Sequence, residues 1–214
     1  MPFVFPPVYP ILDSSFIPNV NRAEFLRTLG ASLADAGVTL LEYRNKTGSD
    51  AEILADAAIL RAVLPAKNIK LILDDRVDLV LQIGFDGVHV DAGDASPRAA
   101  RELLGPDHII GTFGGSEALV PGILAEPADY LSIGPVYATT TRQTSKPPIG
   151  PEGIRRLREE AGLEPVLVAA GGVTLGTAPA ILAAGATTLA VSAAIFNTPD
   201  PASELRLWFK TFGR

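Results

Sequence analysis

Four carboxylates follow two consecutive apolar runs of the chain. Asp74 and Asp75 end the first run, and Asp91 and Asp94 follow the second. Carboxylates are costly to bury unless they are paired or bind a cation, and oxygen ligands without cysteine favour a hard ion such as Mg2+. The pattern therefore predicts a metal site. Helix capping is the alternative, in which Asp75 and Asp94 each open the helix that follows.

Acidic and basic residues alternate after an earlier apolar run. Glu42, Arg44 and Lys46 occupy every second position, and alternation along a strand places such residues on one side. An acid beside two cations suits an anionic ligand. The alternative is a solvated surface cluster, in which ion pairs contribute little.

A single histidine, His89, lies inside the apolar run GVHV. A lone histidine at such a position is more often a hydrogen-bonded core residue than a catalyst. We therefore expect His89 to be a residue of the core.

Residues 137–150 form a long segment without an apolar period, YATTTRQTSKPPIG. Its hydroxyls, its backbone N–H groups and Arg142 are donors of the kind that a diphosphate requires. Long loops in compact domains are more often functional than decorative, so we expect this one to close over a bound ligand. A plain linker is the alternative.

Two turns of small residues occur late in the chain. Gly171 and Gly172 follow one apolar run, and Ser192 and Ala193 follow the next. Such turns expose backbone N–H groups to an anion at the start of a helix. They predict a phosphate site, although a glycine can also serve only to make the turn.

The elements that position these residues alternate between short β-branched runs and helical patterns, which is the signature of a repeated βα unit. No G-x-G-x-x-G follows the first run, and glycine turns follow several others, which favours a closed barrel over a doubly wound open sheet. We predict a (β/α)8 TIM barrel that forms one domain over residues 1–214, with its active site at the carboxyl ends of the strands. The predicted strands cover residues 8–12, 39–43, 70–73, 87–90, 108–111, 130–133, 166–169 and 188–191.

Helical periodicity predicts helices that include residues 22–36, 50–64 and 152–160. Apolar residues recur at helical spacing directly after Asp50. An aspartate at that position is a common N-cap, so we predict that Asp50 caps its helix.

The composition restricts the functional class. The 214 residues are 47% hydrophobic and 20% charged, with a net charge of −6 and no cysteine. An aliphatic core suits a parallel sheet covered on both faces, and the lack of basic clusters disfavours nucleic acid. The apolar runs are too short for a membrane span, and the start lacks the pattern of a signal peptide. We expect a cytoplasmic protein that acts on small molecules, and a homo-oligomer is compatible with the sequence.

Several motifs occur in the order and spacing seen in the thiamin phosphate synthase family. They are YPILD, EYRNK, LILDDRVDLVLQIGFDGVHVDAGD, DYLSIGPVYATTTR, VAAGGV and AVSAAIF, and they extend from Tyr9 to Phe196. The chain resembles that family, whose members join 4-amino-5-hydroxymethyl-2-methylpyrimidine diphosphate to a thiazole phosphate and release diphosphate. The resemblance implies a TIM-barrel transferase of thiamine biosynthesis that uses Mg2+ and two phosphorylated substrates.

The resemblance also implies roles for residues at the predicted strand ends. Asp75 and Asp94 match the Mg2+ ligands, and Asp74 stands where the family usually has Asn. Arg44 and Lys46 match the pair that holds the pyrimidine diphosphate.

Further roles are implied on the later loops. Thr139 and Thr141 match hydroxyls that bind the thiazole phosphate or the diphosphate. The residues that match the cradle of the thiazole phosphate are Gly172, Val191 and Ser192, with Gly171 beside them.

Three residues depart from the pattern of the family. Glu42 replaces a Gln whose amide contacts the pyrimidine, and it could still accept a hydrogen bond from the exocyclic amine. Phe113 replaces a Ser, and its ring could stack on the pyrimidine or obstruct it. Arg142 replaces a Lys and keeps the positive charge with a different geometry.

Three other functions stay open from the sequence. A thiazole tautomerase would use a His after the fifth strand, where this chain has TFGGS. A barrel that binds thiamin precursors without catalysis is compatible with Glu42 and Phe113. Another phosphate-binding barrel enzyme, such as those of tryptophan biosynthesis, would not account for the carboxylates or the threonine-rich loop.

Overall fold

The structure is a computed structural model that describes residues 3–139, 141 and 144–213. Within these residues, parallel strands alternate with helices. The strands are β1 (Val8–Asp13), β2 (Leu40–Arg44), β3 (Lys70–Asp74), β4 (Gly87–Val90), β5 (Ile109–Gly115), β6 (Tyr130–Ile133), β7 (Leu167–Ala169) and β8 (Thr188–Val191). The helices are α1 (Arg22–Ala36), α2 (Asp50–Val63), α3 (Val77–Ile83), α4 (Pro97–Leu104), α5 (Gly150–Ala161), α6 (Ala178–Ala183), α7 (Ala193–Phe196) and α8 (Pro201–Phe212).

The sheet closes on itself. Each strand pairs in parallel with the next, and β8 pairs with β1 through partners such as Tyr9 and Ala190. The predicted TIM barrel is therefore confirmed over the open doubly wound sheet. Because all strands run in one direction, their carboxyl ends and the loops that follow them meet at one mouth.

The predicted strand bounds agree with the structure to within one residue, except at the end of β5. The sequence pattern ended this strand at Gly111, whereas it continues to Gly115 with a register shift between Phe113 and Gly115. Glycine is disfavoured in regular strands but is accommodated at such an irregularity. The extension places Phe113 inside the strand rather than after it.

Apolar side chains form two layers around the sheet. The larger cluster lies between the strands and the helices, and a smaller one fills the barrel interior. Tyr9, Ile72 and Tyr130 belong to the interior cluster. The ring of Tyr130 fits there because Gly111 has no side chain, and a Cβ atom at Gly111 would lie 1.9 Å from the ring Cζ.

Three aspartates that the sequence suggested as N-caps do not cap the helices that follow them. The N-cap of α2 is Ser49, whose Oγ accepts a hydrogen bond from the backbone N–H of Glu52 at 3.3 Å, so the prediction that Asp50 caps this helix was wrong. The backbone at Ser49 is extended, as a cap requires, whereas Asp50 is already helical. The capping alternative for the other two aspartates was also wrong, because Arg76 precedes α3 and Ser96 caps α4.

The helices are short, and the longest, α1, has 15 residues. No helix in the described ranges combines the length and the apolar character that crossing a bilayer requires.

Candidate active site

The carboxyl ends of the strands enclose a cavity of about 500 Å3. The side chains at the inward positions of each strand reach it because successive residues point to opposite faces of the sheet. The predicted site residues that line it are Glu42, Arg44, Asp74, Phe113, Thr139, Thr141, Gly171, Gly172 and Ser192. The predicted site residues that do not line it are Lys46, Asp75, Asp94 and Val191, and Arg142 lies outside the described residues.

Arg44, at the end of β2, is held between two carboxylates. Its Nη1 contacts Asp13 of β1, and its Nε lies 3.4 Å from Oδ2 of Asp74 at the end of β3. Burial opposes the charge of the guanidinium, but Asp74 and Asp13 outweigh burial and raise the pKa of Arg44. The cation is therefore fixed at the mouth and faces the cavity.

Lys46 joins the same cluster from just beyond β2. Its Nζ lies 2.9 Å from Oδ2 of Asp74 and also contacts Asp75. Burial opposes the ammonium charge, but the two aspartates raise the pKa of Lys46. Burial raises the pKa of Asp74 although Lys46 and His89 lower it. The acids and the cations neutralise one another across β2 and β3.

Carboxylate oxygens of Asp74, Asp75 and Asp91 lie within 4.8 Å of one another. Asp94 joins them by accepting a hydrogen bond from the backbone N–H of Asp91 at 2.8 Å. Burial raises the pKa of Asp94, and the neighbouring carboxylate of Asp75 raises it further. Crowded carboxylates of this kind suit a hard divalent cation, which would relieve their repulsion. Asp91 is one of the four carboxylates from which the metal site was predicted, although the resemblance to the family assigned only Asp75 and Asp94 as ligands.

Asp75 occupies an unusual backbone conformation for a residue other than glycine. Its φ angle is +65°, in the left-handed region, which Asp and Asn tolerate better than other side chains. Its N–H donates to the carbonyl of His89 at 2.8 Å, and its carbonyl accepts from Val77 at 3.0 Å. The first bond ties the turn after β3 to β4, and the second joins the turn to the start of α3, so the backbone of Asp75 is held on both sides.

A chain of hydrogen bonds crosses the cavity floor. The hydroxyl of Tyr9 donates to Oε2 of Glu42 at 2.8 Å and lies 3.0 Å from the hydroxyl of Tyr130. The Tyr130 hydroxyl lies 3.1 Å from Nδ1 of His89. His89 is therefore hydrogen-bonded and buried, as its position in an apolar run indicated, and it also lines the cavity. Burial raises the pKa of Glu42 to about 7.

Sequence reasoning missed Tyr9 and Tyr130. Their partners lie 33 and 121 residues away along the chain, so local spacing does not reveal the contact. The available signal was their inward register, because Tyr9 shares the barrel-facing side of β1 with Ile11 and Tyr130 shares that of β6 with Ser132.

Phe113 makes a cation–π contact with Lys146. The Nζ of Lys146 lies 3.7 Å from the ring centroid, a distance at which the ammonium is attracted by the face of the ring. Phe113 borders both the main cavity and a smaller one of about 260 Å3 that Asp91 and Asp94 also line. The aromatic ring thus connects the loop after β6 to the carboxylate side of the mouth.

The turn after β7 is built from two glycines in the left-handed region. Gly171 has a φ angle of +93° and Gly172 one of +65°. The loop after β6 packs directly on them, since the N–H of Tyr137 donates to the Gly171 carbonyl at 3.0 Å. A Cβ atom at Gly172 would lie 2.5 Å from the carbonyl oxygen of Ala138. Backbone therefore approaches backbone here, and no larger residue fits.

The turn after β8 presents mainly backbone. The hydroxyl of Ser192 donates to the carbonyl of Ile11 at 2.7 Å, so its one proton is not available to a ligand. The side chain of Val191 is buried in the layer under the helices, which leaves only its main chain near the mouth. Ala193 and Ala194 open α7 and line the cavity. Their N–H groups have no partner within α7 because they belong to its first turn.

The chain is similar to known proteins in sequence and in fold. A family model described as thiamine monophosphate synthase matches residues 8–195. The chain is 39% identical to a thiamine-phosphate synthase of Koribacter versatilis over 170 residues, which are 79% of each chain. It is 38% identical to that of Geobacillus kaustophilus over 172 residues, which are 78% of this chain and 76% of the relative. Among solved structures it is similar to a thiamine phosphate pyrophosphorylase from Pyrococcus furiosus, with a TM-score of 0.75, 27% identity and coverage of 96% of this chain and 94% of the other.

Proposed function

The chain belongs to the thiamine monophosphate synthase family, and we propose that it joins 4-amino-5-hydroxymethyl-2-methylpyrimidine diphosphate to a thiazole phosphate. The products are thiamin phosphate and diphosphate, so the protein is a transferase. Both substrates are small phosphorylated molecules.

The main support for this proposal is that two different kinds of anion site border the same cavity. A single cavity of about 500 Å3 is bordered on one side by Arg44 and Asp74 and on the other by Gly171, Gly172 and Ala193. The first side supplies fixed cations and carboxylates, and the second supplies backbone N–H groups at tight turns. A reaction between a diphosphate and a monophosphate requires both kinds of site within reach of each other.

On the charged side, Arg44 and Lys46 bind the diphosphate of the pyrimidine substrate. As the bond between the methylene carbon and the diphosphate oxygen breaks, negative charge grows on the departing group, and fixed cations stabilise that charge most. The electron-rich aminopyrimidine stabilises the carbocation that remains. Thr139, Thr141 and Arg142 add donors from the loop that follows β6.

Asp75 and Asp94, with Asp91 beside them, would hold Mg2+. When bound, the ion supplies charge neutralisation for the departing diphosphate. The crowding of these carboxylates and the raised pKa of Asp94 support this assignment.

On the backbone side, Gly171 and Gly172 cradle the phosphate of the thiazole together with the main chain of Val191, Ser192 and Ala193. A fixed phosphate directs the thiazole nitrogen at the carbon that carries the diphosphate. The nitrogen uses its own lone pair, so no general base is required. Positioning and electrostatics account for the acceleration.

The thiazole tautomerase and the non-catalytic barrel have less support. Thiazole tautomerase chemistry would use a His near the end of β5, and the segment between Thr112 and Ser116 has none. A barrel that only binds precursors is disfavoured because the family model and the similar relatives are described as synthases.

We also propose that the reaction occurs in the cytoplasm. Multiply charged phosphate esters cross a bilayer at a high energetic cost. An enzyme that consumes two of them is best placed where they are made.

The direct test is to incubate the protein with both precursors and Mg2+ and to measure thiamin phosphate. We expect product that depends on both precursors and disappears when EDTA removes the metal. No product under these conditions, with both precursors bound, would favour the non-catalytic barrel instead.

A further inference from the structure

The carboxyl group of Glu42 is placed on the cavity floor with one oxygen engaged. The side chain lines the cavity although the residue is only 3% exposed. Its Oε2 accepts the hydroxyl proton of Tyr9 at 2.8 Å, whereas Oε1 has no hydrogen bond to the described residues. A ligand above the floor therefore meets a carboxyl group whose second oxygen is still open.

The hydrogen bonds below Glu42 run in one direction. A tyrosine hydroxyl has one proton, and Tyr9 donates it to Glu42, so Tyr9 accepts from Tyr130 at 3.0 Å. Tyr130 in turn accepts from Nδ1 of His89 at 3.1 Å. This order fixes Oε2 of Glu42 as an acceptor, and any proton on the carboxyl group resides on Oε1.

The surroundings of Glu42 decide how readily it holds that proton. Burial raises the pKa of Glu42 to about 7, the charge of His89 lowers it and that of Asp74 raises it, while the Tyr9 bond and Arg44 lower it. The charged and titratable groups that face it are Tyr9 of β1, Arg44 of its own strand, Asp74 of β3, His89 of β4 and Tyr130 of β6. Glu42 is therefore protonated in a large share of molecules near neutral pH.

We propose that Glu42 recognises the aminopyrimidine in its protonated form, with Oε1–H donating to a ring nitrogen and Oε2 accepting from the exocyclic amine. A protonated carboxyl offers one donor beside one acceptor, which complements the acceptor and donor on that edge of the ring. An ionised carboxylate offers acceptors only and repels the lone pair of the ring nitrogen. Oε2 has two lone pairs, so it serves both Tyr9 and the amine. This inference rests on the proposed function.

The test is the dissociation constant of the pyrimidine diphosphate between about pH 6 and about pH 9, without thiazole phosphate, for the wild type, Glu42→Gln and Tyr9→Phe. Above about pH 7 the affinity of the wild type should fall about tenfold per pH unit, because only the protonated form binds. Glu42→Gln supplies a donor and an acceptor at every pH and should not show that fall. The diphosphate also titrates in this range, and the comparison with Glu42→Gln removes its contribution.

Tyr9→Phe distinguishes a titrating Glu42 from a merely structural one. The Tyr9 hydroxyl lowers the pKa of Glu42, so its removal should move the fall in affinity to higher pH. Parallel profiles for the wild type and Glu42→Gln, or an unshifted profile for Tyr9→Phe, would overturn the inference while leaving the synthase function in place. Absence of pyrimidine diphosphate binding by all three proteins at every pH would instead overturn the proposed function and this inference with it.

Discussion

The two sides of the barrel mouth are built on opposite principles. On the side of β2 to β4, the proposed recognition depends on charged side chains such as Arg44, Lys46 and Asp75, which pair with one another or with Asp74. On the side of β7 and β8, it depends on the absence of side chains, since Gly171 and Gly172 bring the main chain to the cavity.

The two sides of the mouth should therefore respond differently to substitution. A charged cluster is sensitive to the loss of a charge and to pH, because each ion stabilises its neighbours. A backbone cradle is sensitive to added atoms, because there is no room for a Cβ atom. Four substitutions test this contrast, and they follow in order of decreasing expected effect.

Replacing Asp75 should have the largest effect. Asp75→Asn removes the charge while retaining a side chain that tolerates the φ angle of +65°. We expect turnover to fall about a thousandfold, because charge stabilisation is needed mainly as the diphosphate departs. The matched control is Asp78→Asn, which removes a carboxylate from an exposed ion pair with Arg76 and should change turnover less than about twofold. Comparable turnover in the two variants would exclude a catalytic role for Asp75.

Glu42→Gln should change the pH dependence of stability. The pKa of Glu42 rises from its ordinary value of 4.5 to about 7 on folding. A group with a raised pKa contributes stability below its unfolded pKa, and that contribution is lost as the pH rises through the folded pKa. From about pH 4.5 to about pH 7, the wild type should lose up to about 3 kcal/mol relative to Glu42→Gln. Urea denaturation at several pH values measures this difference. A difference in unfolding free energy between the two proteins that does not change with pH would refute the prediction.

Gly172→Ala tests the backbone side. The added Cβ would lie 2.5 Å from the Ala138 oxygen, and the φ angle of +65° is unfavourable for alanine. We expect the KM for thiazole phosphate to rise about thirtyfold, equivalent to about 2 kcal/mol, with little change in the KM for the pyrimidine diphosphate. Gly176→Ala is the control, because its Cβ would meet only the Thr174 hydroxyl at 4.0 Å. A similar rise in both variants would mean that the loss is not specific to the cradle.

Phe113, which borders the charged side, should have the smallest effect. Phe113→Leu keeps an apolar side chain and removes the aromatic face under Lys146. Because Lys146 lines the cavity, we expect its ammonium to attract a diphosphate bound there. Without the ring that positions Lys146, affinity for inorganic diphosphate should fall about fivefold, or about 1 kcal/mol. A double-mutant cycle with Lys146→Met measures the coupling between the two side chains. Additive losses would show that the ring does not position Lys146.

The sequence was sufficient to predict the fold and the position of several residues that line the cavity. The alternation of side chains along a strand correctly placed Glu42 and Arg44 on the same face of the sheet. The face that a side chain occupies depends only on the position of the residue within its own strand. The extension of β5 past Gly111 was missed because Gly114 and Gly115 are poor strand residues, and their conformation depends on pairing with β6.

Contacts between distant strands could not be derived from spacing. Tyr9, His89 and Tyr130 meet only because β1, β4 and β6 point into one closed barrel. The gathering of Asp91 with Asp74 and Asp75, by contrast, could be predicted, because β3 and β4 are consecutive strands that pair with each other.

We propose that the two sides of the mouth bind two phosphorylated groups at once. Calorimetric titration of thiazole phosphate, with and without saturating inorganic diphosphate and Mg2+, tests it most directly. We predict that both ligands bind together and that diphosphate changes the affinity for thiazole phosphate by less than about threefold. An apparent dissociation constant that rises in proportion to the diphosphate concentration would contradict the claim, because it would mean that one site serves both.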